Sequence, residues 1–349
     1  MVNPVFIGDR RVGPGEPCFI IAEAGVNHDG RIDQALQLVD VARDAGADAV
    51  KFQLFRVEEQ ISGFAPTAAY QKEHTGATTM VEMAKSYDLP WEAHREIAAH
   101  CRKRGIAYMA SCFDPQAVDF YLQLSEAPIK VGSGEITNLP LLRHMARTGR
   151  PILLSTGMST LAEVAGAVDL VRQSGPSPLI LFHCVSNYPT TPETANLRVM
   201  PILTQAFGVP VGFSDHTIGF VVAAAAVALG AALIEKHFTT DRTLPGPDHA
   251  MSLGPEELKH FVQGVRDIEA AMGSGVKQLQ PGELEVQRVA RRSLVSTRLI
   301  RAGEQLDEAS ITLKRPATGI PPHLCETVYG RIAAVDIPAD VPIVWEMLA

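Results

Sequence analysis

The sequence predicts a (β/α)8 barrel followed by a small, mostly β domain. Three observations carry that expectation. Apolar runs of strand length alternate eight times with longer amphipathic stretches before Met272. A carboxylate, ammonium or hydroxyl side chain falls at the C-terminal end of each run. After Met272 the rhythm changes to short β-like pieces broken by turns.

The apolar runs, in order, are Cys18–Ala22, Ala47–Phe52, Ile106–Ala110, Pro128–Val131, Pro151–Leu154, Leu179–Cys184, Val209–Phe213 and Ala231–Ile234. They are continuous rather than alternating, which marks strands covered on both faces in a parallel sheet. Amphipathic stretches such as Ile32–Ala45, Trp91–Arg104, Leu139–Thr148, Leu161–Ser174 and Phe220–Leu229 supply the covering helices, with Pro255–Met272 after the eighth strand. The polar residues favour a closed barrel over an open sheet. Glu23, Lys51, Ser111, Lys130, Ser155, Ser186, Ser214 and Glu235 stand at the strand ends. A barrel gathers those ends into one mouth, where such folds place their chemistry; an open sheet spreads them along an edge.

One long interruption, Arg56–Pro90, follows the second strand and is rich in Glu, Thr, Ala and Gly. A connection of that length is usually a lid or a binding loop. Its Met80–Ser86 portion reads as a short helix. Beyond Met272, GSGVKQLQPGE reads as a linker. The pieces Ser293–Thr297, Ile311–Lys314, Ile332–Ala334 and Ile343–Trp345 then alternate with RAGEQL, PATGIPP and IPADVP. The expected division is a barrel over 1–275, a linker over 276–290 and a β-rich domain over 291–349. So small a domain has a marginal core and gains by docking elsewhere.

Hydrophobic content of 46% is ample for a packed core. Lys and Arg number 31 against 39 Asp and Glu, a net charge of −8, with no basic tract, which argues against nucleic acid as the partner. MVNPVFIGDRRVGPGEP lacks the apolar core of a secretory signal, and Val221–Leu229 is too short to span a bilayer, so no membrane role is expected. The five cysteines include no C-x-x-C pair, and Cys18, Cys112 and Cys184 lie in apolar runs. Buried thiols in a reducing cytoplasm follow, not a zinc–thiolate site.

Candidate chemistry concentrates in Leu233–Leu253, LIEKHFTTDRTLPGPDHAMSL. Glu235 and His237 lie two apart, so on a strand they share a face while Lys236 points to the other. Ser214 and His216 in VGFSDHTIG repeat the design. Two strand-end histidines aimed at one centre suit a metal, although a single such histidine is more often hydrogen-bonded structure. Lys51 shares parity with Gln53, and an inward lysine needs an anion: a substrate, or a neighbouring carboxylate. Lys130, in IKVGSGEITN, repeats this beside small residues and the Ser133 hydroxyl. With Ser111, Ser155 and Ser214, the two lysines suit a phosphate and carboxylate site. Glu23 reads as an acid/base or as the salt-bridge partner of Lys51 or Lys130. Tyr188 is a substrate contact or a packed loop tyrosine. Asp248 lies in a loop too polar for core, and His249 beside it stays outside the expected site.

Taken together, IIAEAGVNHDG, DAVKFQ, IKVGSGEITNLPLL, ILLSTGMS, HCVSNYPTTPE, VGFSDHTIG, IEKHFTTDRTLPGPDHAMSL and KRPATGIPP resemble the sialic acid synthase family, in order and across essentially the whole chain. The resemblance implies a TIM barrel followed by an antifreeze-like SAF domain. It implies a transferase that joins phosphoenolpyruvate to the open-chain aldehyde of an N-acyl hexosamine and releases phosphate. His216 and His237 match the ligands of a divalent metal, usually Mn²⁺, with Mg²⁺ or Co²⁺ as alternatives. Lys51, Ser111, Lys130, Ser133, Ser155, Ser186 and Ser214 match phosphoenolpyruvate-binding positions. Gln53, Tyr188 and Asp248 match positions near the sugar, and Glu23, Lys51 and Glu235 catalytic ones. Arg315 matches an arginine that reaches the neighbouring subunit's site, which implies a domain-swapped homodimer. Ser186 stands where some members carry Asn and Ser111 where some carry Thr; both keep a hydrogen-bonding group. The expected acceptor is N-acetylmannosamine, giving N-acetylneuraminate. The alternative is a 2,4-diacetamido-trideoxymannose, giving legionaminate. Competing readings are a Schiff-base aldolase built on Lys51 or Lys130 and a non-catalytic carbohydrate- or ice-binding protein.

Overall fold

A computed structural model describes residues 2–65 and 79–349. Two compact units, Met1–Gly273 and Ser274–Ala349, divide the chain. In the first, among the described residues, eight parallel strands close into a barrel: β3 (Phe19–Gly25), β4 (Ala49–Leu54), β5 (Ala107–Cys112), β6 (Ile129–Val131), β7 (Ile152–Ser155), β8 (Leu179–Cys184), β9 (Val211–Asp215) and β10 (Leu233–His237). They neighbour one another in chain order, and β10 pairs with β3 to shut the barrel.

Several strands run further toward the mouth than the apolar runs suggest. The ladder continues through the polar residues, pairing Glu23 with Lys51, Ser111 with Lys130 and Glu235 with Ser214. These side chains therefore project from sheet, which holds them more rigidly than loops would. Ser186 is the exception, two residues beyond β8. Between Glu23 and Gly25 the register shifts, and Gly25 takes a φ of 53°, a left-handed conformation that a side chain would resist.

Apolar residues pack in two layers. One lies between strands and helices and includes Ile20, Phe52, Tyr121, Phe213 and Phe261. The other fills the barrel floor with Ile21, Met109, Leu153, Ile180, Phe182 and Leu233. Into that floor go Val5, Ile7 and Val12 from an antiparallel hairpin, β1 (Val5–Ile7) and β2 (Arg10–Val12). No strand is expected in this segment from the sequence; it forms a hairpin that plugs the barrel. Its signals were the two-residue spacing of Val5 and Ile7 and the Gly8-Asp9 turn, with Gly8 at φ 57°.

The helices expected at Ile32, Trp91, Leu139, Leu161, Val221 and Pro255 form, with ends moved by at most a residue or so. Two more, Pro115–Leu124 and Val199–Phe207, complete the covering layer. Asp114 caps the former by accepting the Ala117 N–H, and Thr160 with Glu163 forms a capping box at Leu161–Ser174. Met80–Ser86 is helical, as its sequence suggests. The rest of the Arg56–Pro90 segment includes residues 66–78, which lie outside the described residues. No described helix is long and apolar enough to cross a membrane.

The second unit departs from its expected strands. β11 (Ser293–Ser296) and β12 (Ile311–Lys314) pair antiparallel. Ile332–Ala334 instead makes isolated bridges, Gln305 with Ile332 and Ala333 with Leu348, and Ile343–Trp345 runs into a short 3-10 turn at Trp345–Met347. Pro338 and Pro342 lack the N–H that a continuous ladder needs. Its core is Leu294, Ile300, Leu306, Ile311, Ile320, Val328 and Ile343, among others. Part of the expected linker is a helix, Glu283–Ala290, with no residue buried.

Candidate active site at the barrel mouth

A cavity of about 510 Å³ opens at the C-terminal ends of the strands, within the range of small-molecule sites. Glu23, Lys51, Gln53, Ser111, Lys130, Ser133, Ser155, Ser186, Tyr188, Ser214, His216, Glu235, His237 and Asp248 all line it. Arg315 does not: it belongs to the second unit, exposed just after β12.

The cavity floor carries two lysines and two carboxylates, all buried. Lys51 Nζ lies 2.8 Å from Glu23 Oε2 and 3.6 Å from Glu235 Oε2, and donates to Ser111 Oγ at 3.0 Å. Lys130 Nζ donates to Ser155 Oγ at 2.8 Å and lies 3.7 Å from Glu235 Oε2. The Ser214 hydroxyl donates to Glu235 Oε1 at 3.0 Å. Buried charges persist only when paired, and this grouping pairs them.

Pairing is unequal. Burial pushes Glu23 up to about 7; Lys51 pulls the other way, and Glu235 adds repulsion. Burial also opposes the charge on Glu235, but Lys130, Lys51 and the Ser214 hydroxyl hold it down at about 2. Burial works against Lys51 as well, yet its two carboxylates raise it above the ordinary lysine range. Burial wins at Lys130, which is lowered. Two carboxylates pushed apart in one cavity divide the work of proton carrier and fixed anion.

Beside this floor, hydroxyls crowd around Gly157. Its N–H donates to Ser133 Oγ at 3.1 Å, and a Cβ there would come within 2.3 Å of Ser186 Oγ and 2.7 Å of Ser133 Oγ. Only glycine lets backbone approach both hydroxyls, an arrangement suited to an oxyanion. Sequence reading passed over Gly157, because its close approach depends on strands far apart in the chain.

The two histidines stand opposite. His216 Nδ1 lies 2.8 Å from the Val185 carbonyl. A carbonyl only accepts, so Nδ1 carries the proton and Nε2 keeps its lone pair. Cys184 Sγ is more distant from the same nitrogen, at 3.9 Å. His237 Nδ1 has no hydrogen bond and lies 3.7 Å from Asp248 Oδ2. Burial and neighbouring His216 hold His237 well below the usual imidazole range, hence neutral. The ring centroids are 5.5 Å apart, with the Tyr188 ring 4.1 Å from His216. Gly25 leaves a gap beside them: a Cβ there would lie 3.5 Å from both Glu23 Oε1 and Asp248 Oδ2. Among the described residues no three His, Cys, Asp or Glu side chains are grouped as a complete metal site. His216 and His237 could supply two ligands to a metal, whose remaining ligands would have to come from substrate or water.

Lys236 points away from the cavity. Its Nζ donates to Asp215 Oδ2 at 2.8 Å, with both side chains fully buried, and also to the Thr217 carbonyl. On the outer side of the mouth the wall turns apolar: Val26, Phe55, Ile61, Met80, Met83 and Phe113 line it. Val26 and Phe55 pack with Val57 and Ala84, and Phe113 meets Phe55 edge-on at 6.2 Å. Sequence reading did not find this wall, since it combines three loops.

Comparison with known proteins places this arrangement. The NeuB family matches residues 38–277 and the SAF domain matches residues 291–349. The N,N'-diacetyllegionaminic acid synthase of Legionella pneumophila is 42% identical over 344 residues, covering 97% of each chain. Human N-acetylneuraminate-9-phosphate synthase is 36% identical over 341 residues, covering 97% of this chain and 95% of its own. The crystal structure of an N-acetylneuraminic acid synthetase from Leptospira borgpetersenii in complex with citrate superposes with a TM-score of 0.74 at 34% identity. It covers 82% of this chain and 95% of that one.

Proposed function

The chain belongs to the NeuB family, and we propose that it condenses phosphoenolpyruvate with the open-chain aldehyde of an N-acyl hexosamine, releasing phosphate. The observation that carries this reading is the single cavity in which two ammonium groups, a ring of hydroxyls and two unequal carboxylates meet a pair of neutral-capable imidazoles.

In this reading Lys51, Lys130, Ser111, Ser133, Ser155, Ser186 and Ser214 hold the phosphate and carboxylate of phosphoenolpyruvate. The arriving anion competes with Glu23 for Lys51, and Glu23, poised near 7, takes up or gives back a proton as that happens. Glu235 stays ionised and bridges the two lysines, offsetting their mutual repulsion. Gln53, Tyr188 and Asp248 orient the sugar, joined by Arg315 from the partner in a swapped homodimer. His216 and His237 would hold a divalent ion, Mn²⁺ first and Mg²⁺ or Co²⁺ as alternatives, whose Lewis acidity polarises an aldehyde oxygen. The enolpyruvate methylene carbon bonds to the aldehyde carbon, whose oxygen gains a proton. Water then adds to the former enol carbon, and the C–O bond to phosphate breaks. Glu23 is the residue placed to move protons in these steps.

A Schiff-base aldolase fits less well: on Lys51 two carboxylates hold the ammonium protonated, and on Lys130, which burial lowers, such a mechanism gives the two imidazoles no task. A binding-only protein gains nothing from buried carboxylates with such different proton affinities. Five free thiols, four of them buried, suit a reducing cytoplasm.

N-acetylmannosamine is the acceptor the sequence motifs favour. The apolar wall favours the second reading, a 2,4-diacetamido-trideoxymannose, whose C6 methyl and second acetyl group would cover Met80, Met83 and Phe113. The name of the Legionella relative points the same way. Among the described residues Lys51 and Lys130 are the only Lys or Arg side chains lining the cavity, and both are assigned here to phosphoenolpyruvate. Phosphate release should be measured with phosphoenolpyruvate and three acceptors: N-acetylmannosamine, its 6-phosphate, and the diacetamido sugar. Turnover is expected with the unphosphorylated sugars, and the higher kcat/KM identifies the acceptor. Silence with all three sinks the proposed reaction.

A further inference from the structure

Behind the mouth sits a histidine that no step above uses. His249 follows Asp248 directly, on the turn His249–Met251, and is completely buried. Both ring nitrogens are engaged: Nδ1 lies 2.7 Å from Thr239 Oγ1 and Nε2 lies 3.0 Å from Asp29 Oδ1. The Asp29 carboxylate accepts, so Nε2 carries a proton, while the Thr239 hydroxyl sits between Nδ1 and the Asp241 carbonyl, 3.2 Å away.

These partners lie on opposite sides of a seam. Thr239 follows β10, Asp29 follows β3, and β10 pairs with β3 where the barrel closes. The imidazole thus ties the loop after the last strand to the loop after the first. Packing supports the tie: a Cβ on Gly246 would lie 2.6 Å from His249 Cδ2, so loop backbone closes directly on the ring. A second strut runs in parallel. Asn27 Nδ2 donates to the Phe238 carbonyl at 2.8 Å and to Ser252 Oγ at 2.9 Å, and the Ser252 hydroxyl donates to the Asp248 carbonyl at 2.6 Å. Asp248 is therefore fixed through its own carbonyl and through the residue that follows it, while its carboxylate lines the cavity.

We propose that His249, braced by Asp29 and Thr239, is a positioning residue that aims the Asp248 carboxylate at the acceptor sugar. The inference rests on the proposed condensation. It predicts a selective effect, because Ser111, Lys130 and Ser155 stand on β5, β6 and β7, away from the seam. Loosening the tie moves the sugar contact and leaves the phosphoenolpyruvate contacts in place.

The test is a steady-state comparison on the full chain, with phosphoenolpyruvate and either N-acetylmannosamine or the diacetamido sugar as acceptor, reading phosphate release and Tm. His249→Phe keeps a ring of similar size and loses both hydrogen bonds. Its KM for the sugar should rise about tenfold, the worth of one buried hydrogen bond, with the KM for phosphoenolpyruvate changed by less than about twofold. His249→Gln, which retains a donor and an acceptor, should recover part of the loss. Should His249→Phe fail to fold, Asp29→Ala removes the brace at a partly exposed side chain and should raise the sugar KM selectively. A parallel rise in both constants, or a lower Tm with unmoved constants, overturns the positioning role. If the wild-type chain turns over neither sugar, the condensation itself falls and the role falls with it. Normal wild-type turnover with an unmoved sugar KM in the variants sinks the positioning role alone.

Discussion

At the scale of single residues, Glu23 and Glu235 share an ammonium group, yet their surroundings drive them in opposite directions. The sign of the Glu23 shift has a consequence for stability. Its folded-state value of about 7 lies above the ordinary 4.5, so between those pH values the folded chain binds more protons than the unfolded one. The Glu23 contribution therefore declines as pH rises from about 4.5 to 7 and is flat above that. Glu23→Gln has no such slope. Its Tm relative to wild type should climb across that window while condensation is lost, and thermal melts at a series of pH values check this. A Tm difference independent of pH would contradict the assignment. Strand parity made Lys51 with Gln53 and Glu235 with His237 legible in advance, because alternation is local. Gly157 was not legible, since the hydroxyls that make a side chain intolerable there come from loops distant in the chain, and Gly25 was not, since its positive φ arises where the ladder shifts register.

At the scale of elements, continuous apolar runs revealed the strands but ended them too early, since the ladder carries polar residues into the mouth. The plugging hairpin escaped notice because three-residue strands offer too little periodicity to stand out. The second unit's later strands were overcalled: bridges and prolines stood where β-branched runs suggested ladders. On β10 the alternation was informative, and it separates chemistry from support. Lys236 turns away to pair with Asp215, both side chains fully buried. Lys236→Met should strand a buried carboxylate and lower stability by about 3–5 kcal/mol. Adding Asp215→Asn should return much of that loss. Urea unfolding of the two variants checks both statements, and a Lys236→Met loss below about 1 kcal/mol would show that the pair carries little.

At the scale of the whole molecule, closing the barrel converts residues spread from Glu23 to Asp248 into one cavity. The pattern of strand-end polar residues anticipated that gathering, whereas Arg315 stands in the separate unit Ser274–Ala349. The outer apolar wall was invisible for a related reason: its residues come from loops whose lengths and turns set their approach. The cavity supports a reaction in which two imidazoles and two unequal carboxylates each have a task. The most direct test strips the protein of metal with EDTA, restores Mn²⁺, and follows phosphate release from phosphoenolpyruvate and an N-acyl hexosamine in wild type and His237→Ala. Wild-type turnover should vanish on stripping and return with the ion, and His237→Ala should stay orders of magnitude below the Mn²⁺-restored wild type whether stripped or restored. Near-wild-type turnover by metal-stripped His237→Ala would contradict the account.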